Sequence, residues 1–340
     1  MVFEEADQRG RYADSPWAIP LKGWIEVLKR TWSEATEDSI GLVAAGVAFY
    51  GFLAIAPLLA ATILVYGLVA EPADVGSDLR AMLTVMPPDA VRLIDDLLVA
   101  AVHTSEGKAG FGLLVALAIA LYGGMNGANA LITALNIAYE EQDRRGFVRV
   151  NLLALGLTAA GVAGLVVALG LAAMISHLRA TLPEAGPALV IAGRIASVLA
   201  GGLVCAAAAA TLYRYGPDRR DAKWVWLSPG SIAAAALWVA ISLGFGVYAA
   251  RFANYGATYG SASAIIVMLT WLYLSAYILL LGAELNSELE HQTVRDTTRG
   301  APKPLGERGA VVADTVAGMP GGAAQEVNEF EGDKATPAAT

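Results

Sequence analysis

Six stretches of this chain are each long and apolar enough to cross a lipid bilayer, and no other feature limits its fold so severely: residues 41–70, 111–138, 151–175, 188–213, 227–250 and 261–283. A helix climbs about 1.5 Å per residue, so roughly 20 apolar residues reach across a hydrocarbon core. In that core every backbone N–H and C=O needs a partner, which an isolated apolar stretch provides for itself only as a helix. The expected fold is therefore all-α: a polytopic membrane protein built as a six-transmembrane-helix bundle. Composition agrees, with 56% hydrophobic and 16% charged residues, where soluble domains run to about a quarter charged.

The cations of the connecting segments set the orientation, because Lys and Arg are retained on the cytoplasmic side of short loops. Lys22, Lys29 and Arg30 precede the first span, and Arg144, Arg145 and Arg149 follow the second. Arg214, Arg219, Arg220 and Lys223 follow the fourth, and Arg295, Arg299 and Lys303 the sixth. The alternate connections hold Arg80, Arg92, Lys108, Arg179 and Arg251. Both termini are thus expected in the cytoplasm. Residues 1–20 carry Glu4, Glu5, Asp7 and Asp14 and lack an apolar core, so no cleavable leader is expected there.

Charge and motif content exclude several function classes. A formal net charge of −8 has the wrong sign for a partner rich in phosphates, so no nucleic acid is expected. The single cysteine, Cys205, lies in LVCAAAAA and reads as a small buried hydrophobe. His103, His177 and His291 are scattered, and no HExxH, Walker A loop or GxSxG elbow occurs. Neither metal, cofactor nor catalytic residue is expected, and the chain reads as no enzyme.

Outside the spans, residues 1–20 read as a flexible N-terminus. Within 21–39, Trp24, Leu28 and Trp32 recur every four positions beside Glu26, Lys29 and Arg30, the pattern of an amphipathic helix in the membrane interface. The first external connection, 71–110, places Val91, Ile94, Leu98 and Ala101 opposite Arg92 and Asp96, which predicts one or two amphipathic helices. The membrane domain runs from 40 to 290, and the polar segment 291–340 reads as a disordered cytoplasmic tail.

Polarity inside the spans carries the functional signal, since a polar group against lipid is costly and is expected to face protein or a water-filled cavity. Asn126, Asn129, Thr133, Asn136 and Glu140 are spaced 3, 4, 3 and 4 apart, which keeps them within an arc of about 80° on a helix. In the sixth span Ser263, Thr270, Tyr277 and Glu284 follow one another at sevenfold spacing and drift about 20° per step. Such stripes serve either as glue between helices or as the lining of a pathway, and the two roles are compatible. Arg194 lies about six residues from the external end of its span, roughly 10 Å deep. It either snorkels to the headgroups or faces the interior and pairs with a carboxylate or an anionic solute. Glu284 stands at the cytoplasmic end of its span, at headgroup level. Pro57, mid-way along the first span, removes a backbone hydrogen bond and is a candidate helix break or gate.

Several stretches resemble the YihY/BrkB-type inner-membrane proteins, a virulence-factor family formerly labelled ribonuclease BN. They are AAGVAFYGFLAIAPLL, LNIAYEEQDRRGF, LYRYGPDRRDAKW and YGATYGSASAIIVMLTWLYLSAYILLLGAELNSELE. The resemblance runs through most of 24–290 and implies a six-span inner-membrane bundle with both ends inside. Members of that family have been labelled virulence or serum-resistance factors, a tRNA-processing ribonuclease, or transporters. It supplies no agreed catalytic residues. Within the matching motifs Tyr50, Pro57, Tyr259 and Gly260 join the candidates for a helix break or gate.

The expected function is a transporter or exporter, not driven by ATP, of a small or anionic solute or an envelope-lipid intermediate. Its pathway would be lined by Asn126, Asn129, Thr133, Asn136, Arg194, Ser263, Thr270, Tyr277 and Glu284. Its partners would be the lipid bilayer, an anionic solute or lipid, and a second copy in a homo-oligomer. The alternative is a membrane scaffold or envelope-assembly partner, and an RNA-cleaving enzyme comes last.

Overall fold

A computed structural model of the chain describes residues 9–66, 111–181, 187–251 and 262–318, with the side chains of 66, 111–113, 168–197, 246–251 and 262–264 outside that description. The expected external helices of 71–110, the turn holding Tyr259 and Gly260, and the last residues of the tail lie outside the described residues. Eight α-helices follow in order: α1 Leu21–Glu37, α2 Ile40–Tyr66, α3 Phe111–Ala138, α4 Phe147–Thr181, α5 Pro187–Tyr215, α6 Trp224–Arg251, α7 Ala262–His291 and the short α8 Val311–Asp314. Among the described residues there is no strand, and one isolated antiparallel bridge joins Ala222 to Thr298.

The six helices α2 to α7 are long and apolar enough to cross a membrane, so the chain is an all-α polytopic membrane protein. Their outward faces carry Leu42, Phe49, Leu53, Ile119, Leu152 and Leu203, all exposed. In water such faces would aggregate, whereas in lipid they are the matching surface. The helices pack side by side in the order α5, α6, α7, α2, α3, α4, with α3 also touching α7. One apolar cluster joins this core at the end that carries the N-terminal and C-terminal segments, through Ile40, Leu135, Tyr139, Tyr213, Leu227 and Leu280.

Small residues set the closest crossings. A Cβ on Gly123 would stand 2.9 Å from the Cβ of Pro57, so the pyrrolidine ring seats directly on α3. Helix α2 runs through Pro57 without interruption from Ile40 to Tyr66. The helix break expected there is absent, because the ring packs as a ridge into the glycine groove of a neighbour and the backbone stays helical around it.

Helix α1 has two apolar faces. Gly23, Val27, Thr31 and Ala35 are buried, and Val27 packs with Trp226, Leu285 and Leu289. Leu21, Ile25, Leu28 and Trp32 are exposed, an outward stripe suited to the interface. The sequence analysis traced the outward stripe through Leu28 and Trp32 but did not resolve the buried one.

The tail departs from expectation. Residues 292–318 are not disordered but fold back across the end of the bundle. Val294 N–H donates to Arg11 C=O, Lys223 N–H to Thr297 C=O and Arg299 N–H to Asp221 C=O. Arg308, 1% exposed, donates to the carbonyls of Val294, Arg295, Lys303 and Ala313. A guanidinium wrapped by carbonyls orders this polar segment, beside a small apolar cluster of Val294, Leu305 and Val316.

Candidate functional site

Along α3 the polar stripe divides into parts that are tied and parts that are open. Asn136 is buried with both halves of its carboxamide used: Nδ2 donates to Asp143 Oδ2 at 3.2 Å, and Oδ1 accepts the Asp218 amide at 2.7 Å. It ties the loop after α3 to the loop after α5 and acts as glue. Asn129 donates to Asn151 Oδ1 of α4 at 3.4 Å, while its own Oδ1 is buried without a partner. Thr133 is exposed with its hydroxyl returned to Asn129 C=O. Asn126, at the middle of the span, is exposed.

The α7 stripe is similarly mixed. Thr270 is exposed and returns its hydroxyl to Ile266 C=O. Tyr277 is half-buried, 6.2 Å from the ring of Tyr273 and against the apolar core. The side chains of Ser263 and Arg194 lie outside the described residues, and Tyr50 is partly exposed, edge-on to Phe49. Through the spans, α3 and α7 meet by Leu135, Ala138, Ala276 and Leu280 rather than by their polar stripes. The stripes converge at the ends nearer the chain termini, in the carboxylates Glu140 and Glu284.

That end of α7 carries an unusual load. In the run AELNSELE, the side chains of Glu284, Asn286, Ser287, Glu288 and Glu290 are all 2% exposed or less. Buried polar groups need partners, and most here have them. Asn286 accepts the Gly230 amide and donates to Leu227 C=O. Glu290 takes Arg219 at 2.6 Å and the Thr297 hydroxyl at 2.6 Å. Glu288 pairs with Arg30 of α1 and with His291 Nδ1 at 3.3 Å. Two oxygens are exceptions, Glu290 Oε1 and Glu284 Oε1, both buried with no hydrogen-bond partner; Glu290 has Arg219 on its other oxygen, whereas Glu284 has no ion pair among the described residues. The carboxylates that act on it electrostatically are Asp38, Glu288, Glu34 and Glu140, drawn from α1, its exit turn, the end of α3 and α7 itself. At the end of its span Glu284 is buried rather than open, with Glu34 and Asp38 of α1 and its exit turn among the groups acting on it.

The backbone at the rim is strained. Ser39 and Glu140 adopt φ of 53° and 55°, in the left-handed region that favours glycine. Glu140 closes α3 in a Schellman arrangement, with Glu141 N–H to Asn136 C=O and Glu140 N–H to Ile137 C=O. Electrostatics at the rim follow from crowding of like charges. Burial and then the Glu288 carboxylate push Glu34 up from its ordinary value, and burial and then Glu140 do the same to Asp38. Asp143 is held low, first by the hydrogen bond from Arg145. Tyr139 is pushed up by burial, although the Arg219 guanidinium 4.9 Å from its ring pulls the other way.

His291 links this acidic end to the tail: Nδ1 faces Glu288 and lies 4.0 Å from Glu140, and Nε2 is 2.6 Å from Thr315 Oγ1. The sequence analysis reached Glu284 but missed Arg30, Asp38, Glu288 and His291. A signal existed, since one more sevenfold step from Glu284 lands on His291. Among the described residues no three His, Cys, Asp or Glu side chains are placed to hold a metal ion, so the carboxylates surround the site without chelating.

A family described as Virulence factor BrkB matches residues 31–305, which takes in all six spans and most of the returning tail. The chain belongs to the BrkB family. Among its relatives is a Bacillus subtilis protein named as ribonuclease-like, YfkH, 31% identical over 221 residues, which are 60% of this chain and 74% of that one. A UPF0761 membrane protein of Rhodospirillum centenum is 36% identical over 104 residues, 31% of this chain and 23% of its own length. One of Alkalilimnicola ehrlichii is 40% identical over 86 residues, 23% of this chain and 19% of its own length. The chain thus spans under a quarter of these two UPF0761 relatives, against nearly three quarters of the Bacillus protein. No solved structure matches the chain. Membership makes the protein an integral membrane protein of the BrkB type, in agreement with the six apolar helices.

Proposed function

We propose that this BrkB-family protein is a transporter or exporter, not driven by ATP, in the cytoplasmic membrane with both termini on the cytoplasmic side. The observation that carries the reading is Asn126. A carboxamide at the midpoint of a spanning helix, exposed among the described residues, is too costly to leave against hydrocarbon and requires water or a second polar surface. The half-used carboxamide of Asn129 one turn below continues the same surface. The orientation is supported by Arg30, Arg145, Arg219 and Arg308, which gather with the N-terminal and C-terminal segments at one end of the bundle. The carboxylates at that end repel a free anion, which favours a neutral or lipid-like solute moved with a cation over an anionic solute alone.

Single cysteines placed along 126–140 in a Cys205→Ala background, treated with an impermeant thiol reagent from each side, test this. Labelling is expected at 126, 129 and 133, with protection at 136, where Asn136 is buried and tied. Uniform protection would sink the transporter and leave the scaffold, in which a polar patch at Asn126 meets a partner protein. A nuclease reading takes support only from the printed name of the Bacillus relative, and the buried acidic end offers no open basic groove to an RNA backbone.

A further inference from the structure

We infer that Glu284 is a proton-binding site, the point at which this protein takes up and releases a proton at the cytoplasmic end of its bundle; the inference deepens the transporter reading and rests on it. Two independent observations lead there. The first is a polar side chain that is 2% exposed, whose Oε1 has no hydrogen-bond partner and which has no ion pair among the described residues, in a helix end where Asn286 is hydrogen-bonded, Glu288 is paired with Arg30, and Glu290, though its own Oε1 also lacks a partner, is paired with Arg219. The second is the set of groups around it. Glu34 and Asp38 come from α1 and its exit turn, Glu140 from the end of α3, and Glu288 from one turn further along α7.

Of the cations at this end, Arg30 is held by Glu288 and Gln292, and Arg219 by Glu290 beneath the ring of Tyr139. A desolvated carboxylate with no ion-pair partner among the described residues and four like charges about it is relieved by one small cation that needs no coordination shell, the proton. The described side chains offer no chelating set that would favour a metal ion instead. The reaction is a plain transfer. The Glu284 carboxylate accepts H⁺ to become the acid, and on release the proton passes to Glu288 or His291, 3.3 Å apart, and so to the cytoplasmic water beyond Thr315. Charge balances with no other reactant.

The test uses the full-length protein in lipid nanodiscs. Infrared spectra taken through a pH titration are expected to show a protonated-carboxyl band that Glu284→Gln removes and Glu37→Gln, at an exposed position of α1, leaves in place. Because Glu284→Gln alters a packed helix end, a second measurement needs no variant: dicyclohexylcarbodiimide, which attacks protonated carboxyls in apolar surroundings, is applied to the native chain and the adduct located by mass spectrometry. Modification at Glu284 that falls as pH rises is expected. Absence of any Glu284-dependent band, or an adduct found only on other carboxyls, would overturn the inference. Neither readout depends on cysteine labelling along α3, so a failed proton site and a failed aqueous pathway remain distinguishable.

Discussion

Glu140 ends α3 with φ of 55°, and a side chain in that region costs about 1 to 2 kcal/mol that glycine does not pay. Its carboxylate also faces Glu284 and Asp38, which adds repulsion. Glu140→Gly is therefore expected to stabilise the protein by about 1 kcal/mol, seen as a higher thermal midpoint in detergent; an unchanged or lower midpoint would show that the His291 contact at 4.0 Å outweighs strain and repulsion together. The position itself was legible as the foot of an asparagine stripe. Its backbone was not, because a left-handed cap is usually glycine, and a glutamate there gives no local sign.

At the scale of elements, the tightest crossing joins α6 to α7. A Cβ on Gly230 would lie 2.0 Å from Gly282 C=O, and one on Gly282 would lie 2.5 Å from the Tyr213 hydroxyl. Neither neighbour is the end of a flexible chain, since Tyr213 is fixed by its hydrogen bond to Leu279 C=O at 2.7 Å. Gly230→Ala is expected to cost roughly 2 kcal/mol or more through overpacking. Gly161→Ala, in open space on α4, is expected to be neutral or to gain up to about 1 kcal/mol from helix propensity. Thermal midpoints of the two variants measured side by side check the contrast, and equal losses would mean that α6 and α7 do not touch as closely as the structure has it. The helices were legible to within a few residues because hydrophobic length alone fixes a span. Which glycines are contacts was not, because every span holds several and only the pairing of helices separates Gly230 from Gly161.

In the whole molecule, one end of the bundle is closed by the returning tail, residues 292–318. Asp296 helps to hold it: burial alone would push its carboxyl up, but hydrogen bonds from Thr298 and the Lys303 amide and the Arg308 charge outweigh that and hold it low. A carboxyl lowered on folding contributes stability above its unfolded value and loses it as pH falls through the folded one. Asp296→Asn is accordingly expected to destabilise the tail at neutral pH by about 1.5 to 3 kcal/mol, the range for hydrogen bonds to a charged group, with the difference from the native chain shrinking in acid. Glu34 and Asp38, pushed up by burial and by neighbouring carboxylates, act with the opposite sign, their contributions growing as pH falls while those of Asp143 and Asp296 are lost. Limited proteolysis across a pH series, reading cleavage between 292 and 318, checks both. A constant gap between Asp296→Asn and the native chain at every pH would refute the assignment.

The sequence by itself determined the number of spans, the all-α class, the family and a polar stripe through α3, since each depends on hydrophobic length, helical periodicity or local motifs. Only the tertiary structure decided that Asn136 is glue while Asn126 is open, that Pro57 seats against Gly123 without breaking its helix, and that Glu284 is buried among carboxylates. Those outcomes turn on which segments pack over which. Glu284 is buried with Glu34 and Asp38 acting on it from about 250 residues earlier in the chain, and the composition of the tail reads as disordered until Arg308 finds its four carbonyls. Burial of a charged group is a property of its neighbours in space, and no local window of sequence contains them.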